Sequence, residues 1–196
     1  MKQMIKALCF GSVASLISFL TLAHADVIDF DSQGLFGPST FAQAGSAQTV
    51  SVTTTVGVVT FQGGVLITAG TSNPNTSSIY ATAFISDLTN VLTITFPVPV
   101  TNFSIMVGNG ELASPYLVAD NAGHTQSTVI SFLGTWQPTF PVIGTTVQVE
   151  AILPNPPNWN FWIDNISFDA IPEPTGVALV AGAFVTLLLL RGRERP

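Results

Sequence analysis

Residues 91–107 read VLTITFPVPVTNFSIMV, and they decide the fold class. Leu92, Ile94 and Phe96 alternate with Thr93 and Thr95, and after a proline-bearing break Phe103, Ile105 and Val107 repeat the pattern. Period two sends successive side chains to opposite faces, and Val, Ile, Thr and Phe suit a pleated, half-buried surface. The same alternation recurs outward along the chain. Val147, Val149 and Ala151 face away from Gln148 and Glu150, and Ile130 pairs in parity with Phe132. Turn signals separate the runs: Gly63-Gly64, Asn73-Pro74-Asn75, Asp120-Asn121-Ala122-Gly123 and the stretch 154–158, PNPPN. Residues 26–170 show no long 3.6-residue period. Roughly nine or ten short strands with frequent turns predict an all-β, antiparallel β-sandwich, with a barrel as the alternative. Phe30, Phe61, Phe84, Phe103, Phe132 and Phe168 are the expected core rings, with Trp162 beside them.

The two ends of the chain differ from this body. Residues 1–25 have Lys2 and Lys6, then an apolar stretch from Ala7 to Leu22, then Ala23-His24-Ala25. That order of positive start, apolar run and small-x-small site predicts a secretory signal peptide, helical in its apolar part. Residues 171–196 read IPEPTGVALVAGAFVTLLLLRGRERP. Pro172 and Pro174 keep the entry extended. The run from Gly176 to Leu190 predicts a hydrophobic helix, and Arg191, Arg193 and Arg195 mark the cytoplasmic side. Fifteen residues rise about 22 Å against roughly 30 Å of hydrocarbon, a better temporary anchor than a permanent one.

All five Lys and Arg residues of the chain lie in these two ends. Residues 26–170 hold nine acids and no Lys or Arg, a formal charge of −9. Such a body has nothing with which to neutralise phosphates, which argues against nucleic acid as a partner; divalent cations would be attracted. Its one upstream cysteine, Cys9, falls in the signal, so the body forms no disulfide, and it is long enough to bury one core without staples.

The tail resembles the PEP-CTERM sorting signal of exopolysaccharide-producing Gram-negative bacteria. Ile171, Pro172, Glu173, Pro174 and Thr175 match its opening, followed by the apolar run and the arginines, although Gly192 and Glu194 interrupt the basic cluster. The resemblance implies an exosortase-type processing enzyme that reads Pro172, Glu173 and Pro174. It also implies transient anchoring in the inner membrane and then delivery to the cell surface or extracellular matrix. A second resemblance links residues 27–31 (VIDFD), 117–123 (LVADNAG) and 162–168 (WIDNISF) to jelly-roll domains of exported proteins and to carbohydrate-binding modules of that fold. It implies that the first and last strands are neighbours, and that a structural calcium sits near them.

Candidate site residues follow. Asp29, Asp31 and Asp164 are candidate calcium ligands, since calcium takes six to eight oxygens; Asp29 and Asp31 share strand parity. The alternative is that they bond turn amides. Trp159, Tyr116 and Trp136 are candidate glycan-stacking residues, Trp159 most of all because Asn158 and Asn160 flank it; the alternative is a lid over the core edge. No catalytic residue is assigned. His124 stands after a turn glycine, no Gly-x-Ser-x-Gly elbow is present, Glu111 lies in a Gly-Asn-Gly-Glu turn, and Glu150 is on a solvent-facing strand side. The expected function is that of an exported, non-catalytic surface or matrix protein able to bind polysaccharide. A secreted glycoside hydrolase or lyase and a self-associating structural matrix protein are the alternatives.

Overall fold

The computed structural model describes residues 25–68, 77–83, 88–110, 112–152 and 159–171. The predicted signal helix, the tail from Pro172 onward, Phe84 and Glu111 lie outside the described residues. His24–Ala170 forms one compact unit. Its strands are β1 (Ala25–Ile28), β2 (Gln48–Thr54), β3 (Gly57–Thr68), β4 (Ser77–Thr82), β5 (Val91–Thr95) and β6 (Val100–Asn109). After these come β7 (Ser114–Asp120), β8 (Thr125–Ile130), β9 (Thr135–Trp136), β10 (Thr139–Ile143), β11 (Thr146–Ala151) and β12 (Asn160–Ala170). A single turn of helix, α1 (Phe41–Ala44), precedes β2. Among the described residues no helix is long and apolar enough to cross a membrane.

Every strand pair is antiparallel. One sheet runs β10-β6-β12-β4-β3, with β1 beside β12 and β9 beside β6; the other runs β2-β3-β5-β11-β7-β8. The first and last strands are neighbours as expected, with Ala25 opposite Asp169 and Ile28 opposite Ile166.

The strand β3 belongs to both sheets. Its first half pairs with β2 and β5, and residues Val65–Thr68 pair with β4. Gly63-Gly64 is therefore a bend within one strand and not the turn its composition suggests. The reason is space as well as backbone freedom. Gly63 has φ +87°, and a Cβ there would come 2.4 Å from the Val91 carbonyl oxygen; one on Gly64 would come 2.5 Å from Leu92 Cδ2. Bare backbone lets the strand cross the sandwich corner against β5. The strands thus form one path, open between β8 and β10, where the Gln126 side chain donates to the Thr139 carbonyl at 2.6 Å.

The main core lies between the sheets. Phe30, Phe61, Phe103 and Phe168 are all buried in it, as expected. Phe96 meets Phe103 and Phe168 edge-on at 6.0 and 5.0 Å, and Phe30 meets Phe61 at 5.2 Å. Phe132 does not join them: it is 58% exposed. The strand β8 ends at Ile130, and residues 131–134 turn, with the Gly134 N–H donating to the Ser131 carbonyl at 2.9 Å and Leu133 at φ +55°. Past the strand end, parity no longer assigns a face.

A second cluster occupies the opposite face of the first sheet. Val65, Ile67, Tyr80 and Trp162 form it, and Ala44, Phe41 and Leu88 cover it; Phe41 packs on Tyr80 at 5.4 Å. Both faces of β4 are therefore covered, and all six of its residues are buried. Trp162 lies across Gly108 of the neighbouring strand, where a Cβ would fall 2.0 Å from the indole.

Candidate functional site

The three carboxylates proposed for calcium are held separately. The strand β1 stops at Ile28, and Phe30 takes φ +59° to turn its ring into the core, so Asp29 and Asp31 do not lie on a strand and share no face by parity. Asp29 Oδ1 accepts the Ser32 N–H at 2.8 Å and the Ser32 hydroxyl at 2.6 Å. Asp31 Oδ2 accepts the Ser77 N–H at 3.3 Å. Asp164 is fully buried on the second-cluster face; its Oδ2 accepts the Ser78 hydroxyl at 2.8 Å and its Oδ1 the Asn165 N–H at 2.7 Å. Among the described residues no three acids, histidines or cysteines come together to hold a metal ion, so the calcium expectation does not fit this donor set. Asp29 behaves as an acid capping a turn. Asp164 leaves an electrostatic mark on its neighbour: burial, and then the Asp164 charge, push the Tyr80 phenol up to about 12.

The aromatic candidates separate in the same way. Tyr116 is fully buried, with its ring edge-on to Phe161 at 5.5 Å, and offers no face to a sugar. Parity explains it: Tyr116 and Val118 are the inward residues of β7. Its hydroxyl donates to Asn109 Oδ1 at 2.7 Å, and Asn109 Nδ2 donates to the carbonyls of Leu112, Ile130 and Ser131 at 3.0, 3.0 and 3.2 Å. One buried amide thus ties the loop after β6 to the end of β8. Its position within Gly108-Asn109-Gly110 reads as a turn; the structure makes it the last residue of β6.

Trp136 and Trp159 are half-buried and pack against the core, so each presents less than a full ring. Trp159 Nε1 and Asn160 Oδ1 are buried with no hydrogen-bond partner among the described residues. A donor and an acceptor therefore stand on adjacent residues, beside the stretch 153–158, which lies outside the described residues. Along the edge of the same sheet, a shallow groove of about 390 Å³ is lined by Asn102, Phe103, Thr139, Phe140 and Pro141.

Among the described residues, the one acid–histidine pair closes a turn. Asp120 has a side chain 1% exposed, and its Oδ2 lies 2.9 Å from His124 Nδ1. The same carboxylate accepts the N–H groups of Ala122 at 3.1 Å, His124 at 2.7 Å and Gly144 at 3.0 Å. Burial pushes its pKa up, but the His124 side chain, the Gly144 and His124 amides and the His124 charge outweigh it, and the group is lowered overall. No hydroxyl among the described residues is hydrogen-bonded to the imidazole. Glu150 stands half-buried on β11, opposite Val91 and Leu117 in the adjacent strands.

No family model matches the chain, and no characterised protein matches it in sequence. Among solved structures it is similar to the K3 adhesin domain of Lys-gingipain from Porphyromonas gingivalis, at 11% identity and a TM-score of 0.38, covering 74% of this chain and 90% of that one. It is also similar to two substituted forms of a family 29 carbohydrate-binding module. One is 10% identical with a TM-score of 0.37, covering 79% of this chain and 99% of the module; the other is 11% identical with a TM-score of 0.36, covering 74% and 91%. Likenesses of this size transfer no ligand or activity.

Proposed function

We propose that this chain is an exported, non-catalytic β-sandwich protein of the cell surface or polysaccharide matrix, delivered by a PEP-CTERM-type tail. The observation that carries the reading is the segregation of charge: every Lys and Arg lies in residues 1–25 or 171–196, and none in the nine-acid body between. Targeting segments need basic flanks to set orientation in a membrane; a domain meant to leave the cell does not. In this reading an exosortase-type enzyme recognises Pro172, Glu173 and Pro174, the run after them sits in the inner membrane, and Arg191, Arg193 and Arg195 hold it there until processing. The sandwich would then be jelly-roll-like in its finer connectivity. The pairing of β1 with β12 supports the scheme, because the start of β1 and the end of β12 lie at one end of one sheet, so a cut after Ala25 takes only the first residue of β1 and a cut beyond Ala170 takes none of β12. The engagement of Asp120 and His124 in closing a turn supports the non-catalytic part.

Intact mass and cell fraction of the protein in its own host test this directly. The expected result is loss of the residues beyond about position 171, with protein in the outer surface or medium. A complete tail in the inner membrane would make the C-terminus a plain anchor.

Glycan binding is a second reading, favoured by the buried Trp159 Nε1 and Asn160 Oδ1, which have no hydrogen-bond partner among the described residues. Buried polar groups usually find partners, and a sugar hydroxyl supplies both a donor and an acceptor. Trp159→Ala is expected to weaken retention on the host polysaccharide while Trp136→Ala leaves it nearly unchanged. Equal retention of wild type and Trp159→Ala removes the reading.

A further inference from the structure

The two sheets treat their edges differently. In the first sheet, β10 carries Pro141, and the far edge, the second half of β3, is covered by the chain at residues 37–38. There the Gly37 N–H donates to Thr68 Oγ1 at 2.7 Å and the Thr68 N–H donates to the Pro38 carbonyl at 3.0 Å. In the second sheet, among the described residues, the backbone of β2 pairs with β3 alone and that of β8 with β7 alone, the one bond from β8 to β10 being that of the Gln126 side chain to the Thr139 carbonyl. An open edge is a row of backbone donors and acceptors ready to pair, and soluble monomers blunt it with Lys, Pro or inward charge. The strands β2 (QTVSVTT) and β8 (TQSTVI) have none of these. Nine acids are distributed over residues 26–170, and not one falls on either edge.

The strand count adds direction. The second sheet has six strands, each antiparallel to the next, so β2 and β8 run in opposite senses. A copy placed so that it continues the twisted sheet lays its β2 beside β8 of the first copy, antiparallel in sense. With an odd number of strands that contact would be parallel. The faces also agree. Val50 and Val52 of β2 and Ile130 of β8 point inward, while Ser51, Thr53, Ser127 and Val129 are exposed outward. Across a seam, hydroxyl and β-branched residues would meet on the outer face, pairs that stabilise antiparallel strands.

We propose that β8 of one molecule pairs with β2 of a second copy, so that the six-stranded sheet continues head to tail through an open array. Each copy carries a body charge of −9, so the array should strengthen as salt screens the repulsion. The inference concerns the folded sheet and is independent of how the chain is delivered.

Sedimentation velocity of the full chain in detergent, across protein concentration and salt, is the test, with Ser51→Lys and Ser127→Lys as edge-blocked variants. Thr49→Lys and Thr125→Lys serve as a second pair, and circular dichroism verifies folding. Wild type is expected to give species that grow with concentration and with salt. Each single variant is expected to stay a single copy. An equal mixture of Ser51→Lys and Ser127→Lys should form two-copy species and stop there, because one free β8 meets one free β2. A wild type that stays a single copy under all conditions overturns the proposal. So does assembly that Ser51→Lys retains and Ser127→Lys abolishes, which would be a two-fold β8 pair, or assembly that both variants retain.

Discussion

The two faces of the first sheet are built on different rules. The inner face is a layer of large rings and branched chains: Phe103, Ile105 and Val107 of β6 are all fully buried against the other sheet. The outer face pairs the largest side chain with no side chain, Trp162 over Gly108, and then closes with a single helical turn. It also contains the fully buried Asp164 and the raised Tyr80 phenol. Each inner-face ring or branched chain packs among several buried neighbours. The outer face has one layer of cover, so its fit depends on a few specific pairs.

The largest effect expected is on the inner face. Phe103→Ala removes a ring packed between Phe96 and Phe140 and should destabilise by about 3–5 kcal/mol, read from urea unfolding. On the outer face, Gly108→Ala adds only one methyl, yet places it inside the Trp162 indole, and should destabilise by about 1–3 kcal/mol. The sharper form is a cycle: Trp162→Leu combined with Gly108→Ala should cost less than the sum of the single changes, by at least about 0.5 kcal/mol. Additive costs would mean that the indole and the glycine are not coupled, and the contrast between the two faces would fail.

The difference between the faces also marks what could be read from sequence. Alternation found the inner residues of β5, β6 and β11, because large apolar side chains on the inner face alternate with mostly polar or small ones on the other. The residues of β4, SSIYAT, are covered on both sides and leave no such record. Gly63-Gly64 carries the composition of a turn, and only the distance to Val91 reveals a strand bend. Among site residues, the aromatic list mixed positions by type. Tyr116 has the inward parity of Val118 and is core, whereas Trp159 sits before β12 and its indole N–H has no partner among the described residues. Asn109 was not legible at all, because its role depends on Tyr116, Leu112 and Ile130 meeting at one amide.

A smaller effect separates the two buried carboxylates, Asp164 under the outer face and Asp120 in its turn of N–H donors. Asp120 has a lowered pKa, so the folded chain keeps this group charged where the unfolded chain already takes a proton. Its contribution is fully present above the ordinary carboxylate value of about 3.9 and is lost as pH falls through the lower folded value. Melting temperature should therefore fall on acidification below about pH 4, and Asp120→Asn should flatten part of that acid limb while lowering stability at pH 7. An acid limb unchanged by Asp120→Asn would show that the hydrogen bonds of the turn do not favour the charged form.

The smallest effect is expected where parity and structure disagree. Phe132 has the sequence parity of Ile130, yet it lies beyond the end of β8 and is 58% exposed. A core ring at this position would lose several kcal/mol on substitution, as Phe103 should. An exposed one should lose almost nothing: Phe132→Ser is expected within about 0.5 kcal/mol of wild type. The turn itself is held by backbone, through the Gly134–Ser131 bond and the Asn109 amide on the Ser131 carbonyl, and neither involves the ring. Urea unfolding of Phe132→Ser beside Phe103→Ala therefore compares one residue type on two sides of a strand end. A loss above about 1 kcal/mol at Phe132 would be outside the range of a surface change and would mean that the ring packs on the sandwich after all.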